Sequence, residues 1–114
     1  MARTDVFVSH LPTGVDDILV RLGQNIRLAR KRRRISVDSL AASMFITAPT
    51  LRKVEKGDPT VSFSAVVSAL WTLGLADDLM NVANPDLDAV GLEAERKRLP
   101  ARKRRKAKDD DEFG

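Results

Sequence analysis

Two amphipathic segments between Ser36 and Gly57 follow each other so closely that the chain must fold there as two short helices and a tight turn. Ser36 has the side chain of a helix N-cap, and behind it Val37, Leu40, Ala41 and Met44 recur at i, i+3, i+4 and i+7. That is the apolar stripe of a helix of two turns. Thr47 offers the next N-cap only three residues after Met44, and Leu51 and Val54 make the buried stripe of the helix it opens. Pro49 falls in the first turn, where a missing amide costs nothing, and Gly57 supplies the stop. A helix, a short turn and a helix inside a larger helical domain is a helix-turn-helix arrangement.

The flanking sequence predicts the rest of the domain. A first helix is expected from Asp16 or Asp17, which would cap it, with Ile18, Leu22, Ile26 and Ala29 on its inner face and Arg21, Arg27, Lys31 and Arg32 elsewhere. Ser62 caps a fourth helix, with Phe63, Val66, Val67, Leu70 and Leu73 inward and Gly74 at its end. A short fifth helix is expected over residues 77–83, ended by Asn84-Pro85. The fold class is therefore all-α: a compact four- to five-helix bundle containing a helix-turn-helix, with flexible termini. Residues 1–15 form an N-terminal arm in which Val6-Phe7-Val8 is a short strand or a loose segment. Residues 16–84 are the folded domain, and residues 85–114 are a charged tail, disordered for most of its length.

The net charge of +4 conceals a block pattern. Residues 21–34 carry seven Arg or Lys and no acid, residues 58–95 carry seven acids and no base, and residues 96–108 carry nine bases. Two basic blocks of this density point to a polyanionic partner, although a charge run alone is as often plain solvated surface. The chain has no cysteine, one histidine and no tyrosine, which excludes disulfides and thiolate metal sites. His10 stands in no catalytic or metal-ligand spacing in the sequence, and Asp77, Asp78, Asp86 and Asp88 sit where helix capping explains them, so no enzyme, metal or cofactor is expected. The longest uncharged stretch, residues 59–76, is short for a bilayer and interrupted by serines, a threonine and a glycine. No charged segment followed by an apolar one opens the chain, so a cytoplasmic protein that does not enter a membrane is expected.

In order and spacing, Leu22-Gly23, Ile26-Arg27, Arg30, Ile35-Ser36, Leu40-Ala41, Thr47, Leu51, Val54-Glu55-Lys56-Gly57 and Leu73-Gly74-Leu75 resemble the lambda-repressor-like, or XRE, family of helix-turn-helix regulators. The resemblance implies a bundle whose third helix reads the major groove of double-stranded DNA, usually as a homodimer on an inverted-repeat operator. It places base reading at Lys53 first, where arginine or lysine on guanine is the expected chemistry. Thr50 and Arg52 are further polar candidates, and Ala48 could meet a thymine methyl. It implies phosphate contacts at Ser36, Thr47 and Lys56, and an ion pair between Arg30 and Glu55 that fixes the reading helix to its scaffold.

The chain departs from the family pattern in three places. Val37 stands where many relatives carry a glutamine that touches the DNA backbone. Arg34 and Phe45 stand where glycine is common, so each must adopt a left-handed conformation or use another turn, and Phe45 would pack as an additional core residue. A narrower resemblance rests on Gly57-Asp58-Pro59 with Val61-Ser62, on the run from Val67 through Trp71 to Leu75, and on Val90-Gly91-Leu92-Glu93 with Arg98-Leu99-Pro100 and Arg102. These are similar to the HipB-type antitoxins encoded beside HipA-like kinase toxins, and imply a self-repressing dimer that binds such a toxin. Trp71, at the border of the buried stripe next to Val67, is either a core aromatic or, with Val67, part of a dimer or partner surface. A free-standing regulator without a toxin, and an adaptor that binds only protein, remain as alternatives.

Overall fold

The computed structural model describes residue 8 and residues 10–99. Val6 and Phe7 of the apolar arm, and the basic run beyond Leu99, lie outside them. The protein is an all-α bundle. In chain order its α-helices are α1 (Thr13–Arg32), α2 (Val37–Met44), α3 (Ala48–Lys56), α4 (Phe63–Thr72) and α5 (Ala89–Arg98), with 3-10 turns at Ala76–Asn81 and Pro85–Leu87. The chain divides into two units, residues 1–77 and residues 78–114.

In the first unit α1 packs mainly against α3, while α2 packs against both α3 and α4. Ile26, Leu40, Leu51, Val54, Ala69, Leu70 and Leu73 are the buried centre, and Leu51 on α3 has no exposed surface at all. Burial of this kind stabilises by about 1.5–3 kcal/mol for each large aliphatic side chain. The caps of α2, α3 and α4 stand where the sequence puts them. The Oγ atoms of Ser36 and Ser62 and the Oγ1 of Thr47 accept from the amides of Ser39, Ala65 and Thr50 at 3.0, 3.1 and 3.3 Å.

The four helices described from Thr13 to Thr72 end in the same way. The last turn passes into a left-handed residue, at Arg34 (φ 55°), Phe45 (φ 57°), Gly57 (φ 75°) and Gly74 (φ 81°). The next amide then reaches back five residues: Ile35 N to Arg30 O (3.3 Å), Ile46 N to Ala41 O (3.0 Å), Asp58 N to Lys53 O (3.0 Å) and Leu75 N to Leu70 O (2.7 Å). This Schellman-type closure satisfies carbonyls that the helix leaves open. Of the two options open to Arg34 and Phe45, the chain takes the left-handed one.

Phe45 does not join the core. It is 95% exposed, because a residue in this cap position turns away from the packed face. A left-handed non-glycine residue costs on the order of 1–3 kcal/mol, and here no side-chain burial offsets it. Phe45→Gly is therefore expected to raise stability by about 1 kcal/mol after glycine's own chain entropy is subtracted. The urea midpoint should move up with an unchanged slope.

Other expectations need correction. α1 starts at Thr13, not at Asp16 or Asp17, because the extended Pro12 is its N-cap and the Pro12 carbonyl accepts from Val15 and Asp16 at 3.0 and 3.3 Å. Asp16 only opposes the helix dipole. Ile18 lies off the packed face and is 68% exposed, while Gly23, Ile26, Ala29 and Arg30 form the buried face. Phe63, at the start of α4, is 72% exposed, and Ala69 rather than Phe63 meets the core. The fifth helix is a 3-10 turn over Ala76–Asn81.

In the second unit, part of the expected disordered tail is helical. Asp88 Oδ1 accepts from the Gly91 amide at 3.0 Å to cap α5, and Arg96 pairs with Glu93 at 2.7 Å along it. Local bonds of this kind let a segment with no apolar face adopt helical form. The Pro85–Leu87 turn packs against α5. No described helix in either unit is long and apolar enough to cross a membrane.

Candidate nucleic-acid interface

The outer surface of α3 follows from its periodicity. Leu51, Val54 and Glu55 are buried, which leaves Pro49, Arg52, Lys53 and Lys56 exposed on one face, with Ala48 and Thr50 half-buried at its margins. Among the described residues, Arg52, Lys53 and Lys56 form no ion pair. Lys56 ends the helix, where a cation complements the dipole.

The buried end of that helix is tied to α1. Arg30 Nε donates to Glu55 Oε2 at 2.7 Å and its terminal nitrogen NH2 donates to Glu55 Oε1 at 3.0 Å, both side chains being buried. The remaining guanidinium nitrogen donates to the Ile35 carbonyl at 2.9 Å. One side chain thus joins α1, the turn into α2 and the end of α3. The hydrogen bonds to Glu55 raise the Arg30 pKa above its usual value, against the effect of burial and with help from the carboxylate's charge. The forked geometry suits a guanidinium and not an ammonium.

At the opposite end of α3, Thr47 Oγ1 lies 2.9 Å from Thr50 Oγ1 as well as accepting the Thr50 amide. The Thr50 hydroxyl is therefore engaged within the helix and is less free to read a base than its position suggests. Ser36 and Thr47 are exposed at the first turns of α2 and α3. Ser36 Oγ accepts from an amide and still has an O–H to donate, which is what an anion needs, while the Thr47 hydroxyl shares its proton contact with Thr50.

Beyond the last turn, Asp58 Oδ1 accepts from the Thr60 hydroxyl at 2.6 Å and the Thr60 amide at 2.8 Å. These two bonds, the hydroxyl's first, hold the Asp58 carboxyl below the usual carboxylate range; burial opposes them, and the charges of Lys53 and Lys56 add to them. Asp58 therefore partly balances those two lysines, a role the spacing of Gly57-Asp58-Pro59 did not suggest.

Trp71 is not a core aromatic: it is 75% exposed on α4, with Val67 one turn before it half-buried. Phe63 lies a further turn back along that helix, so Phe63, Val67 and Trp71 recur at i, i+4 and i+8 on a helix with no charged residue. Phe63, expected in the core, stands on this ridge instead.

Gln24 and Arg27 of α1 join the site, although neither is a candidate from the sequence alone. They line a cleft of about 460 Å³ together with Val20, Arg30, Val37, Arg52, Glu55 and Lys56. A signal for them was present: once Arg30 faces Glu55, Arg27 one turn earlier must lie beside the outer edge of α3. Among the described residues no group of His, Cys, Asp and Glu is placed to hold a metal ion. Comparisons of the chain with protein-family models, with curated proteins and with solved structures gave no match.

Proposed function

We propose that the protein is a sequence-specific, double-stranded-DNA-binding transcriptional repressor that sets α3 into the major groove and acts as a homodimer. The observation that carries this reading is the outer face of α3: Arg52, Lys53 and Lys56 exposed together without ion-pair partners among the described residues, on a helix held rigidly from behind by Arg30 and Glu55. A short rod with exposed cations and a fixed orientation is what groove recognition requires. Lys53 is the leading base reader, Ala48 offers a methyl contact from the start of the helix, and Ser36, Thr47 and Lys56 hold phosphates. The apolar ridge of Phe63, Val67 and Trp71 is the dimer surface, since Phe63 and Trp71 are exposed on a helix that carries no charge with which to hold phosphates.

Within this reading the protein is a cytoplasmic antitoxin of the HipB type, repressing its own operon and binding a HipA-like kinase toxin. Its support is the resemblance of Gly57-Asp58-Pro59, the Val67 to Leu75 run and the Val90 to Leu99 segment. A kinase-like gene beside its own supports that finer assignment; its absence leaves a free-standing regulator.

The test is selection of duplexes from a random-sequence pool by the full chain. An enriched inverted repeat is the expected result, and Lys53→Ala should relax preference at one base pair of each half-site by about 1–3 kcal/mol. Enrichment of single half-sites would refute the dimer, and no enrichment at all would leave the protein-only adaptor.

A further inference from the structure

We infer that the cleft between α1 and α3 is a phosphate site in which Arg27 and Arg52 grip the backbone of the bound duplex, so that Arg52 serves the backbone and not the bases. The inference rests on the DNA reading for its ligand, but its geometry does not. The walls come from two helices and the first residue of a third: Gln24 and Arg27 on α1, Val37 on α2, and Arg52 and Lys56 on α3. Its volume of about 460 Å³ is that of a small-ligand site.

The charge inside it is unbalanced. Four cations line the cleft against a single acid, Glu55, and both oxygens of Glu55 are already taken by Arg30 at 2.7 and 3.0 Å. Lys56 is within the influence of Asp58. Arg27 and Arg52 have no ion pair among the described residues. Two uncompensated guanidiniums on different helices, beside an amide side chain and an apolar wall, offer the charge and the donors that a tetrahedral oxyanion takes.

The turn of α3 adds a reason to separate Arg52 from Lys53. Successive residues on a helix are about 100° apart, so Arg52 leans to the Glu55 edge of α3, toward α1, and Lys53 leans to the Thr50 edge. The outer face is thus divided: one edge is directed to the cleft and the other is free to enter the groove. A phosphate held in the cleft sets the depth and tilt at which Lys53 approaches its base.

The experiment uses Arg27→Gln and Arg52→Gln in the full chain, both at exposed positions that leave the core intact. Affinity for the selected duplex and for a scrambled one is measured over a range of salt. Each variant should weaken both duplexes by the same factor and lower the slope of log affinity against log salt by about one. If the parent binds the selected duplex and Arg27→Gln leaves its slope unchanged, the cleft does not hold the backbone. If Arg52→Gln instead relaxes the preference at one base pair, Arg52 reads a base and the assignment is wrong. A second arm follows the side-chain Nε–H resonances of Arg27 and Arg52 during titration with inorganic pyrophosphate. Should the parent select no duplex, saturable shifts of both keep the cleft as a site for a free phosphate while the DNA reading falls. No shifts in that case would remove both.

Discussion

Replacing Glu55 with alanine is expected to cost about 3–5 kcal/mol, because it strands the Arg30 guanidinium inside the protein without its carboxylate. For a domain whose whole stability is on the order of 5–15 kcal/mol, that loss approaches unfolding. Glu55→Gln keeps an acceptor and should cost less. Changing both partners to apolar residues, Arg30→Met with Glu55→Leu, should recover most of the loss, since the charge and its counter-charge leave together. Yet the double variant should bind DNA poorly. The Arg30 guanidinium also holds the Ile35 carbonyl at 2.9 Å, and losing it frees α3 to tilt. Urea unfolding of the three variants checks the first part, and duplex titration the second. An unchanged midpoint for Glu55→Ala would mean that the pair is solvated.

The second large effect concerns two glycines that face each other where α1 crosses the end of α3. A Cβ on Gly23 would lie 2.6 Å from the Glu55 carbonyl oxygen and 2.8 Å from the Gly57 nitrogen and the Val54 carbonyl oxygen. All three are backbone atoms and cannot swing aside. The approach is reciprocal, for a Cβ on Gly57 would lie 2.6 Å from both the Leu19 carbonyl oxygen and the Val20 Cα. Alanine in place of glycine within a helix normally stabilises by about 0.5–1 kcal/mol. At Gly23 the sign should reverse, with a loss at or above the 1–3 kcal/mol typical of overpacking. Gly14, also in α1, has nothing within 4 Å of its Cβ position and is the control, where alanine should be neutral or mildly stabilising. Thermal melts of the two variants decide the matter by sign alone. If Gly23→Ala is as benign as Gly14→Ala, the helices do not touch there.

What the sequence reveals and what it withholds divides along physical lines. Ser36, Thr47 and Ser62 announce their helices because capping is local: a hydroxyl and an amide three residues on are enough. The stripes of α2 and α3 are equally legible, since helices of two turns have little room to drift in phase. Longer or terminal segments are not. Ile18 keeps the period of α1 but lies off the packed face, and Phe63 keeps the period of α4 but opens that helix, where the core has not begun. Phe45 shows a different limit, because its φ angle could be foreseen as one of two options while the direction of its side chain depends on the turn adopted. The pairing of Arg30 with Glu55 came from a family resemblance and stands in the structure as a buried, forked contact. The cleft at Arg27 needed three dimensions, because its walls come from three helices.

A repressor built in this way meets DNA with α3. Backbone amide shifts, followed while the isotope-labelled full chain is titrated with a selected duplex, test this most directly. The expected result is that perturbations concentrate on Ser36, on Thr47 to Lys56 and on Arg27, while Phe63, Val67 and Trp71 on α4 keep their free positions. Perturbations centred on α4 with α3 unmoved would contradict it.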